Sequence, residues 1–252
     1  MRRQLANLRA VGRIRTIRST PRSRKPKYLR NNPKSEIACI LGLVAAHHAR
    51  ADRDFYFVQI GAFDGVTGDP IYRLVRAHGW RGVLVEPQVE AFELLKKNYS
   101  DQDGLQFFNV VIGPRDGEVR FFTAPGGMSQ GASLIRRLTV KPGLGRPRPE
   151  ARRIPCWTLA TLLREAGAPA AIDLLQIDAE GLDYEIIRSI DFEIFRPAIL
   201  RYEHNLLSER DRNACLELLA GHGYRFVLED FDTTAYLGMS TPGVTTATGA
   251  AR

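Results

Sequence analysis

Two short segments carry the residues best suited to chemistry. The first, F-V-Q-I-G-A-F-D-G at 57–65, reads as an apolar strand that runs into Gly61 and Gly65, and the second, G-V-L-V-E-P, closes its strand with Glu86. Glycine lets a backbone turn approach a neighbouring group closely, and an acid at the end of the next strand can accept hydrogen bonds from both hydroxyls of a ribose. Together they predict a site for a nucleoside-containing ligand. A tight turn that binds nothing is the alternative.

The residues between the two glycines indicate which nucleoside would bind. A dinucleotide-binding turn has the spacing G-x-G-x-x-G, whereas Gly61 is followed here by Ala62, Phe63 and Asp64 before Gly65. A carboxylate suits the cationic S-adenosylmethionine better than the anionic pyrophosphate of a dinucleotide. The spacing therefore favours a Rossmann-like methyltransferase over a nucleotide-dependent oxidoreductase.

A second concentration of acids follows a later apolar run. The segment D-L-L-Q-I-D-A-E-G-L-D-Y-E places Asp178, Glu180 and Asp183 at the end of a predicted strand and the start of a predicted helix. In doubly wound sheets ligands bind outside the carboxyl ends of the strands, so these acids should face the same cleft as Glu86. Acids also stabilise the N-terminus of a helix, and capping is the alternative role for Asp183.

A base for the transfer is predicted at the neighbouring strand end, where Glu203 and His204 follow an apolar run. Methyl transfer from a sulfonium to a hydroxyl needs an aligned acceptor and a group that removes the hydroxyl proton, but no nucleophile on the protein. Asp178 is one candidate for that group, and His204, beside Glu203, is the other. Glu180 and Asp183 are expected on the acceptor side. Whether a divalent metal joins Asp178 and Glu180 stays open.

The elements that must position these residues alternate between short apolar runs and amphipathic segments. Such alternation is typical of a parallel sheet flanked by helices, so the predicted fold class is α/β with helices on both faces of a mostly parallel sheet. Asp69 and Pro70 stand where the first helix should begin. Strands are predicted at 56–61, 82–86, 106–112, 172–177, 198–203 and 224–229, and helices at 69–79, 88–99, 157–167, 181–190 and 208–222.

The stretch between the third and fourth strands breaks this alternation. Gly117–Phe122 follows a D-G turn and predicts a hairpin appended to the third strand. Thr123–Arg153 is rich in glycine, proline and basic residues, and a loop of this length in a compact domain is usually functional or disordered. It is either a disordered insertion or a lid over the acceptor site, in which Arg136 and Arg137 would suit an acidic or phosphate-bearing acceptor.

The composition is that of one globular domain with tails. The chain has 252 residues, of which 44% are hydrophobic and 25% charged, enough to bury a full core. Cys39, Cys156 and Cys215 lack metal-ligand spacing and predict reduced packing residues in a reducing compartment. The longest uncharged apolar run, 37–46, is too short to cross a bilayer, and no cleavage site follows an N-terminal apolar segment. We therefore expect a cytoplasmic protein.

The net charge of +8 is confined to one end of the chain. Residues 1–34 hold 12 of the 36 lysines and arginines and none of the 28 acids, which leaves 24 basic against 28 acidic residues for 35–252. The domain is therefore mildly acidic, and no nucleic-acid partner is expected. Apolar residues recur every third position from Leu5 to Ile17, as in an amphipathic helix on an anionic membrane or a partner. A solvated basic arm and a mitochondrial presequence are the alternatives.

Several motifs in a fixed order carry a resemblance to a known family. They are V-Q-I-G-A-F-D-G, G-D-P-I-Y, G-W-R-G-V-L-V-E-P, L-L-Q-I-D-A-E-G-L-D-Y-E-I-I, Y-E-H-N-L-L-S and finally G-Y with D-T-T-A-Y. Over roughly 55–237 the chain resembles the FkbM-type methyltransferases. The resemblance implies a Rossmann-like class I methyltransferase fold with a seven-stranded sheet, S-adenosylmethionine as the cofactor and, most often, O-methylation of sugars or other hydroxylated natural products.

The resemblance is carried over residue by residue. Asp178, Glu180 and Gly181 match the I-D-x-E-G signature, and Phe63 departs from the family, which usually has asparagine at that place. The predicted cofactor-binding residues are Gly61, Ala62, Asp64, Gly65, Asp69, Glu86, Asn109 and Asp178.

The predicted organisation is a basic arm at 1–34, a helical lead-in at 35–54, a methyltransferase domain at 55–238 and a tail at 239–252. The predicted function is O-methylation of a saccharide, a glycolipid or another natural product, in the cytoplasm or at a membrane surface that the arm contacts. The alternative is a catalytically silent relative that binds a nucleoside or scaffolds a biosynthetic complex. The acceptor and the oligomeric state stay open.

Overall fold

A computed structural model describes residues 54–123, 128 and 150–237. Within them the chain forms strands and helices in alternation, with one smaller sheet inserted. The strands are β1 (Tyr56–Ile60), β2 (Arg81–Val85), β3 (Leu105–Phe108), β4 (Val111–Ile112), β5 (Gly117–Thr123), β6 (Glu150–Trp157), β7 (Leu174–Ile177), β8 (Ile199–Glu203), β9 (Tyr224–Leu228) and β10 (Asp232–Leu237). The helices are α1 (Tyr72–His78), α2 (Val89–Asn98), α3 (Leu159–Glu165), α4 (Asp183–Arg188) and α5 (Glu209–Gly221).

The main sheet has seven strands in the order β3-β2-β1-β7-β8-β10-β9. All neighbours are parallel except β10, which is antiparallel to both β8 and β9. The predicted Rossmann-like fold with a mostly parallel seven-stranded sheet is therefore confirmed. Because the chain turns outward to β2 from one side of β1 and later adds β7 on the other, the carboxyl end of β1 is a topological switch point, where such sheets bind ligands.

Apolar layers cover both faces of the sheet. On one face Val58, Leu175 and Leu200 are fully buried with residues of α3, α4 and α5, and on the other Phe57 and Leu174 are fully buried with residues of α1 and α2. Adjacent residues of one strand thus enter different layers, as the alternation of side chains along a strand requires. A sheet buried on both faces explains why its strands read as nearly continuous apolar runs.

The insertion differs from the prediction in three ways. The strand predicted at 106–112 is two strands, because β4 leaves the main sheet and joins a three-stranded sheet in the order β4-β6-β5. The helix predicted from 157 starts at Leu159, and the loop predicted to reach Arg153 ends before β6. In β6 the buried Ile154 and Cys156 alternate with exposed residues, which is the period of a strand. Residues 124–127 and 129–149, with Arg136 and Arg137, lie outside the described part.

The first helix begins three residues later than predicted, at Tyr72, and Asp69 closes the turn before it and is not its N-cap. One carboxylate oxygen of Asp69 accepts hydrogen bonds from the backbone N–H groups of Ile71 (2.7 Å) and Tyr72 (3.0 Å). Side-chain caps are present at the starts of α3 and α5, where Thr158 and Ser208 supply them.

The predicted arm at 1–34, the tail at 239–252 and all but the last residue of the lead-in at 35–54 lie outside the described residues, so the division of the chain stays a prediction. Among the helices that are described, none combines the length and the apolar character needed to cross a bilayer.

Candidate functional site

A cleft with a volume of about 340 Å³ opens at the carboxyl edge of the main sheet. The ends of β1, β2, β7 and β8 reach it, as does the start of β10, because that strand runs in the opposite direction. Five of the residues predicted to bind the cofactor line the cleft, and so do two predicted on the acceptor and base side. They are Gly61, Ala62, Asp69, Glu86 and Asp178 in the first group, and Glu180 and Glu203 in the second.

The glycines of the turn after β1 are required by the protein itself. Gly61 has φ +79° and Gly65 φ +74°, a left-handed region that favours glycine. A β-carbon on Gly61 would lie 1.9 Å from the carbonyl oxygen of Asp178, and one on Gly65 would lie 2.5 Å from Leu95 and 2.7 Å from Tyr99. Gly61 therefore lets the ends of β1 and β7 meet, and Gly65 lets the turn pack on the residues of α2.

Four of the five backbone N–H groups from Gly61 to Gly65 already have acceptors. Gly61 N and Ala62 N donate to Val85 O (both 3.0 Å), Phe63 N donates to Glu86 Oε2 (2.8 Å), and Gly65 N donates to Ala62 O (2.8 Å). A pyrophosphate is normally held by backbone N–H groups that point at it. The turn is therefore a poor cradle for a dinucleotide, in agreement with its spacing.

Strained backbone marks two residues of the cleft. Phe63 and Glu180 both have φ +50°, and they are the only residues other than glycine with positive φ in the described part of the chain. Such conformations cost about 1–3 kcal/mol each and concentrate at functional sites. Asparagine tolerates positive φ better than phenylalanine does, which gives a physical reason for the asparagine that the family usually has in place of Phe63.

Glu86 is buried and held from both sides. One oxygen accepts from Phe63 N at 2.8 Å, and the other accepts from Gln88 N at 2.8 Å and Gln88 Nε2 at 3.2 Å. Three of about four acceptor positions on a carboxylate are thus used, so two ribose hydroxyls could bind only if the Gln88 side chain moves. Burial raises the pKa of Glu86 to about 7, which its hydrogen bonds partly oppose.

Three residues of the predicted cofactor set do not line the cleft. The carboxylate of Asp64 accepts from Val66 N (2.9 Å), Thr67 N (2.7 Å) and Thr67 Oγ1 (2.6 Å) and closes the turn. Asn109 donates to the carbonyls of Glu86 (2.8 Å) and Pro87 (3.0 Å), and so fixes the end of β2. With Gly65, which packs on α2, these residues shape the site from outside it.

Acids form a row across three neighbouring strands. Ile177 pairs with Tyr202, so Asp178 and Glu203 follow at the same level of β7 and β8, and Glu203 pairs with Asp232 of β10. The Asp178 side chain is open to the cleft, whereas Glu203 has one buried oxygen that finds no donor within the described residues.

These carboxyl groups hold their protons unusually strongly. Although the Asp178 side chain is open to the cleft, the surrounding walls withdraw it from bulk water, and this desolvation, with the charge of Asp232, raises its pKa to about 6. Burial and the neighbouring acids raise the pKa values of Glu180 and Glu203 to about 8. Near neutral pH the cleft therefore holds both charged and neutral carboxyl groups.

Two predicted site residues lie behind the cleft wall. Asp183 is fully buried and accepts from Glu203 N (3.2 Å) and Gly181 N (3.3 Å), so it ties the start of α4 to the end of β8 and is not available to an acceptor. His204 follows Glu203 and points to the opposite side, where its Nδ1 lies 3.0 Å from Thr233 Oγ1. Burial lowers its pKa to about 4. Because its ring faces away from the cleft, His204 is not placed to accept the proton of an acceptor bound there.

Four polar residues on strands of the main sheet line the cleft but were not predicted. Gln59, Gln176 and Arg201 pair in register across β1, β7 and β8, and each stands two residues before a strand-end residue that lines the cleft. The sequence signal for these three residues was a polar side chain inside an otherwise apolar strand. The fourth, Asp232, belongs to D-T-T-A-Y, a motif quoted for the resemblance without a role. Gln59 Oε1 and Gln176 Oε1 are buried and find no donor among the described residues.

No group of three or more His, Cys, Asp or Glu side chains in the described part is arranged to hold a metal ion.

Comparison with known proteins identifies relatives. The sequence model of the family described as "Methyltransferase FkbM domain" matches residues 59–226. No curated protein matches the chain.

Solved methyltransferase structures resemble the chain at low sequence identity. Methyltransferase FkbM from Methylobacillus flagellatus KT is 13% identical with a TM-score of 0.49, and the match covers 73% of this chain and 44% of that one. The N-terminal domain of human METTL16 in complex with SAH is 14% identical with a TM-score of 0.43, covering 81% and 69%. Precorrin-6y C5,15-methyltransferase from Geobacter metallireducens GS-15 is 13% identical with a TM-score of 0.40, covering 84% and 93%. The chain thus spans less than half of the solved FkbM structure.

The raised pKa values predict a pH-dependent stability. Glu180 and Glu203 have pKa values of about 8 in the fold, against 4.5 as ordinary glutamates, so between these pH values the folded state binds more protons than the unfolded state. Their contribution to the free energy of unfolding must then fall as the pH rises toward 8. We expect Glu180→Gln to remove part of that loss, so that its Tm relative to wild type rises by a few degrees from pH 5.5 to pH 8.5 in thermal melts without ligand.

The matched control is Glu217→Gln, which changes an exposed glutamate on α5. Its Tm difference from wild type should stay constant over the same pH range. Parallel pH profiles for Glu180→Gln and wild type would contradict the electrostatic account of the cleft.

Proposed function

The chain belongs to the family of FkbM methyltransferases, and we propose that it methylates a hydroxyl group of a saccharide, a glycolipid or another natural product. Its cofactor is S-adenosylmethionine. The observation that carries the proposal is one cleft in which the turn after β1 and Glu86 share walls with the open carboxylate of Asp178. A cofactor bound at the turn and Glu86 and an acceptor bound at Asp178 would therefore lie in the same cleft.

The polar atoms of the cleft fit this cofactor. The acceptors are the carboxylates of Glu86 and Asp69 and the amide oxygens of Gln59 and Gln176, which find no donor within the described parts of the chain. S-adenosylmethionine brings the complementary groups, which are ribose hydroxyls, an ammonium and the positive charge of the sulfonium. We assign the ribose to Glu86 and the rest of the cofactor to the neighbouring walls at Gly61, Ala62 and Asp69.

When bound, S-adenosylmethionine supplies a methyl group activated by the positive sulfur. The contribution of the protein is to align the hydroxyl and to take its proton. In the proposed reaction Asp178 accepts that proton while the oxygen gains the methyl group and the sulfur becomes neutral. A pKa of about 6 leaves Asp178 mostly ionised at neutral pH, so it can act as the base.

The other carboxyl groups suit a hydroxylated acceptor. Because the pKa values of Glu180 and Glu203 are about 8, both groups are largely protonated at neutral pH. A neutral carboxyl group donates one hydrogen bond and accepts others, as a hydroxyl does. We propose that these two residues bind hydroxyl groups of the acceptor beside the one that is methylated.

The small sheet supplies an apolar wall to the same cleft. Val111, Ile112 and Phe121 line it, and an ion pair between Arg152 and Glu90 (2.8 Å) connects the sheet to α2. Apolar surface suits the carbon face of a saccharide ring. We propose that this wall and the connection between β5 and β6, in which Arg136 and Arg137 stand, select the acceptor.

The first prediction concerns cofactor binding. At pH 8, where a pKa of about 7 leaves Glu86 mostly ionised, Glu86→Ala should weaken S-adenosylmethionine binding about ten- to hundredfold, because a hydrogen bond from the ribose to a charged group contributes about 1.5–3 kcal/mol. Isothermal titration calorimetry measures the loss, with Glu93→Ala on the exposed side of α2 as the matched control. Equal affinity in Glu86→Ala and wild type would falsify the assignment of the ribose to Glu86.

The second prediction concerns the base. Asp178→Asn should lower the single-turnover rate about 10²–10⁴-fold and change S-adenosylmethionine affinity much less, because the amide cannot take the proton. Asp191→Asn, an exposed change near the end of α4, is the control. A near-normal rate in Asp178→Asn would mean that the proton goes elsewhere.

These assays need an acceptor, which a screen can supply. Cell-envelope glycan extracts are incubated with the protein and methyl-labelled S-adenosylmethionine, and the labelled product is analysed for the methylated atom. Label on a carbohydrate oxygen supports the proposal. Label on nitrogen or carbon, or on nucleic acid, would overturn it.

We also propose that the basic arm attaches the enzyme to an anionic membrane. Residues 1–34 hold 12 basic residues without an acid, and each basic residue near such a surface contributes about 1 kcal/mol, weakened by salt. The full chain should sediment with phosphatidylserine liposomes at low salt, and deletion of 1–34 should abolish this while cofactor binding is retained. A full chain that stays in the supernatant would show that the arm has another purpose.

A further inference from the structure

The row of acids at the carboxyl edge poses an electrostatic problem. Asp178, Glu203 and Asp232 stand at one level on three adjacent strands, where neighbouring side chains come close together. Like charges placed opposite each other in a sheet destabilise it. Further carboxyl groups surround the row. They are Glu86 and Asp69 across the cleft, Glu180 and Asp183 after β7, and Glu229 beside β10.

One cation opposes these charges. Arg201 lies two residues before Glu203 on β8, so it points to the same side of the sheet, one step below the row. Its Nη2 donates to Asp232 Oδ2 at 2.6 Å and to Glu229 Oε2 at 3.2 Å, and its Nε lies 3.3 Å from the same Glu229 oxygen. Arg201 is the only Lys or Arg among the described residues that line the cleft.

The ion pairs of Arg201 are largely buried, which strengthens their effect on neighbouring charges. The side chains of Arg201 and Asp232 are 13% and 15% exposed, and that of Glu229 only 2%. Charges in such a place are weakly screened, so the guanidinium acts on neighbours that it does not touch. Its positive charge lowers the pKa values of Asp178, Glu203 and Asp69, whereas Asp232 raises those of Asp178 and Glu203.

We propose that Arg201, held in place by Asp232 and Glu229, is a positioning residue that keeps Asp178 ionised for its role as proton acceptor. The inference rests on the proposed function of Asp178. Arg201 touches none of the reacting atoms in this account. Its task precedes the transfer, because Asp178 can take the hydroxyl proton only if it carries none itself.

The charge balance requires a partner of this kind. Glu203, with a pKa of about 8, already relieves part of the repulsion by holding a proton near neutral pH. Without Arg201 the pKa of Asp178 would rise as well, and a proton on Asp178 would occupy the oxygen that must accept the proton of the hydroxyl. Lysine would keep the positive charge but not the paired N–H geometry of the guanidinium. The conservative change should therefore preserve much of the effect, and the neutral change should abolish it.

The test compares the pH dependence of single-turnover rates for wild type, Arg201→Lys, Arg201→Met and Asp232→Asn in the full chain. In Arg201→Met the acidic limb should move to higher pH by about one unit or more, and the rate should recover toward wild type near pH 9. Arg201→Lys should move it less. Asp232→Asn removes a negative charge and should move it to lower pH. A loss of rate that is equal at every pH would indicate a structural role and would overturn the proposal.

A second readout does not depend on turnover. The carboxyl carbons of ¹³C-labelled aspartates are titrated by NMR in the ligand-free protein, and the Asp178 signal is assigned with Asp178→Asn. The titration of Asp178 should move upward in Arg201→Met and downward in Asp232→Asn. An unchanged midpoint in these variants would overturn the inference, and Asp232→Asn keeps the test valid if Arg201→Met does not fold. A shifted midpoint with full turnover in Asp178→Asn would support the effect of Arg201 and overturn the proposed base.

Discussion

The close contact between the ends of β1 and β7 is the constraint on which the site depends. Gly61 leaves β1 against the carbonyl of Asp178, at a distance that no residue with a β-carbon can adopt. The contact brings the turn after β1 and the acid after β7 to one cleft. The same turn then fixes β2, since its N–H groups bond to the Val85 carbonyl and the Glu86 carboxylate. One missing side chain thus sets the relative positions of three strand ends.

Features that lower the stability of the fold are concentrated at the same edge of the sheet. Phe63 and Glu180 adopt positive φ, and oxygens of Gln59 and Gln176 are buried without a donor in the described residues. Directly beneath, side chains such as that of Phe57 are fully buried in continuous apolar layers, which can offset such costs. Strain and unpaired acceptors that persist in a fold concentrate at functional sites. Backbone strain and buried acceptors therefore mark the same cleft as the motifs, independently of them.

Sequence patterns predicted the parts of the fold and site that follow local rules. The four central parallel strands were recognisable as apolar runs, and Glu86 and Asp178 followed from the rule that ligands bind at strand ends. β10 was missed because Thr233 and Thr234 are polar in the sequence. They become buried only when the strand lies between β8 and β9, which is a property of the tertiary structure. Asp232 was missed for a related reason, since it begins an antiparallel strand and the rule inspects only the ends of parallel ones. Arg201 was missed because it lies inside a strand, whereas the rule inspects only strand ends.

The spacing of the glycines disfavours binding of a dinucleotide, and the hydrogen bonds of the turn after β1 give the physical reason. A pyrophosphate needs donors, but four of the five backbone donors of the turn are used by the Val85 carbonyl, the Glu86 carboxylate and the Ala62 carbonyl. What the cleft offers instead are acceptor oxygens, among them those of Gln59 and Gln176, and carboxyl groups. Such a cleft favours a ligand rich in donors and positive charge. The glycines shape the turn, and the acceptor oxygens around it favour S-adenosylmethionine over an anionic nucleotide.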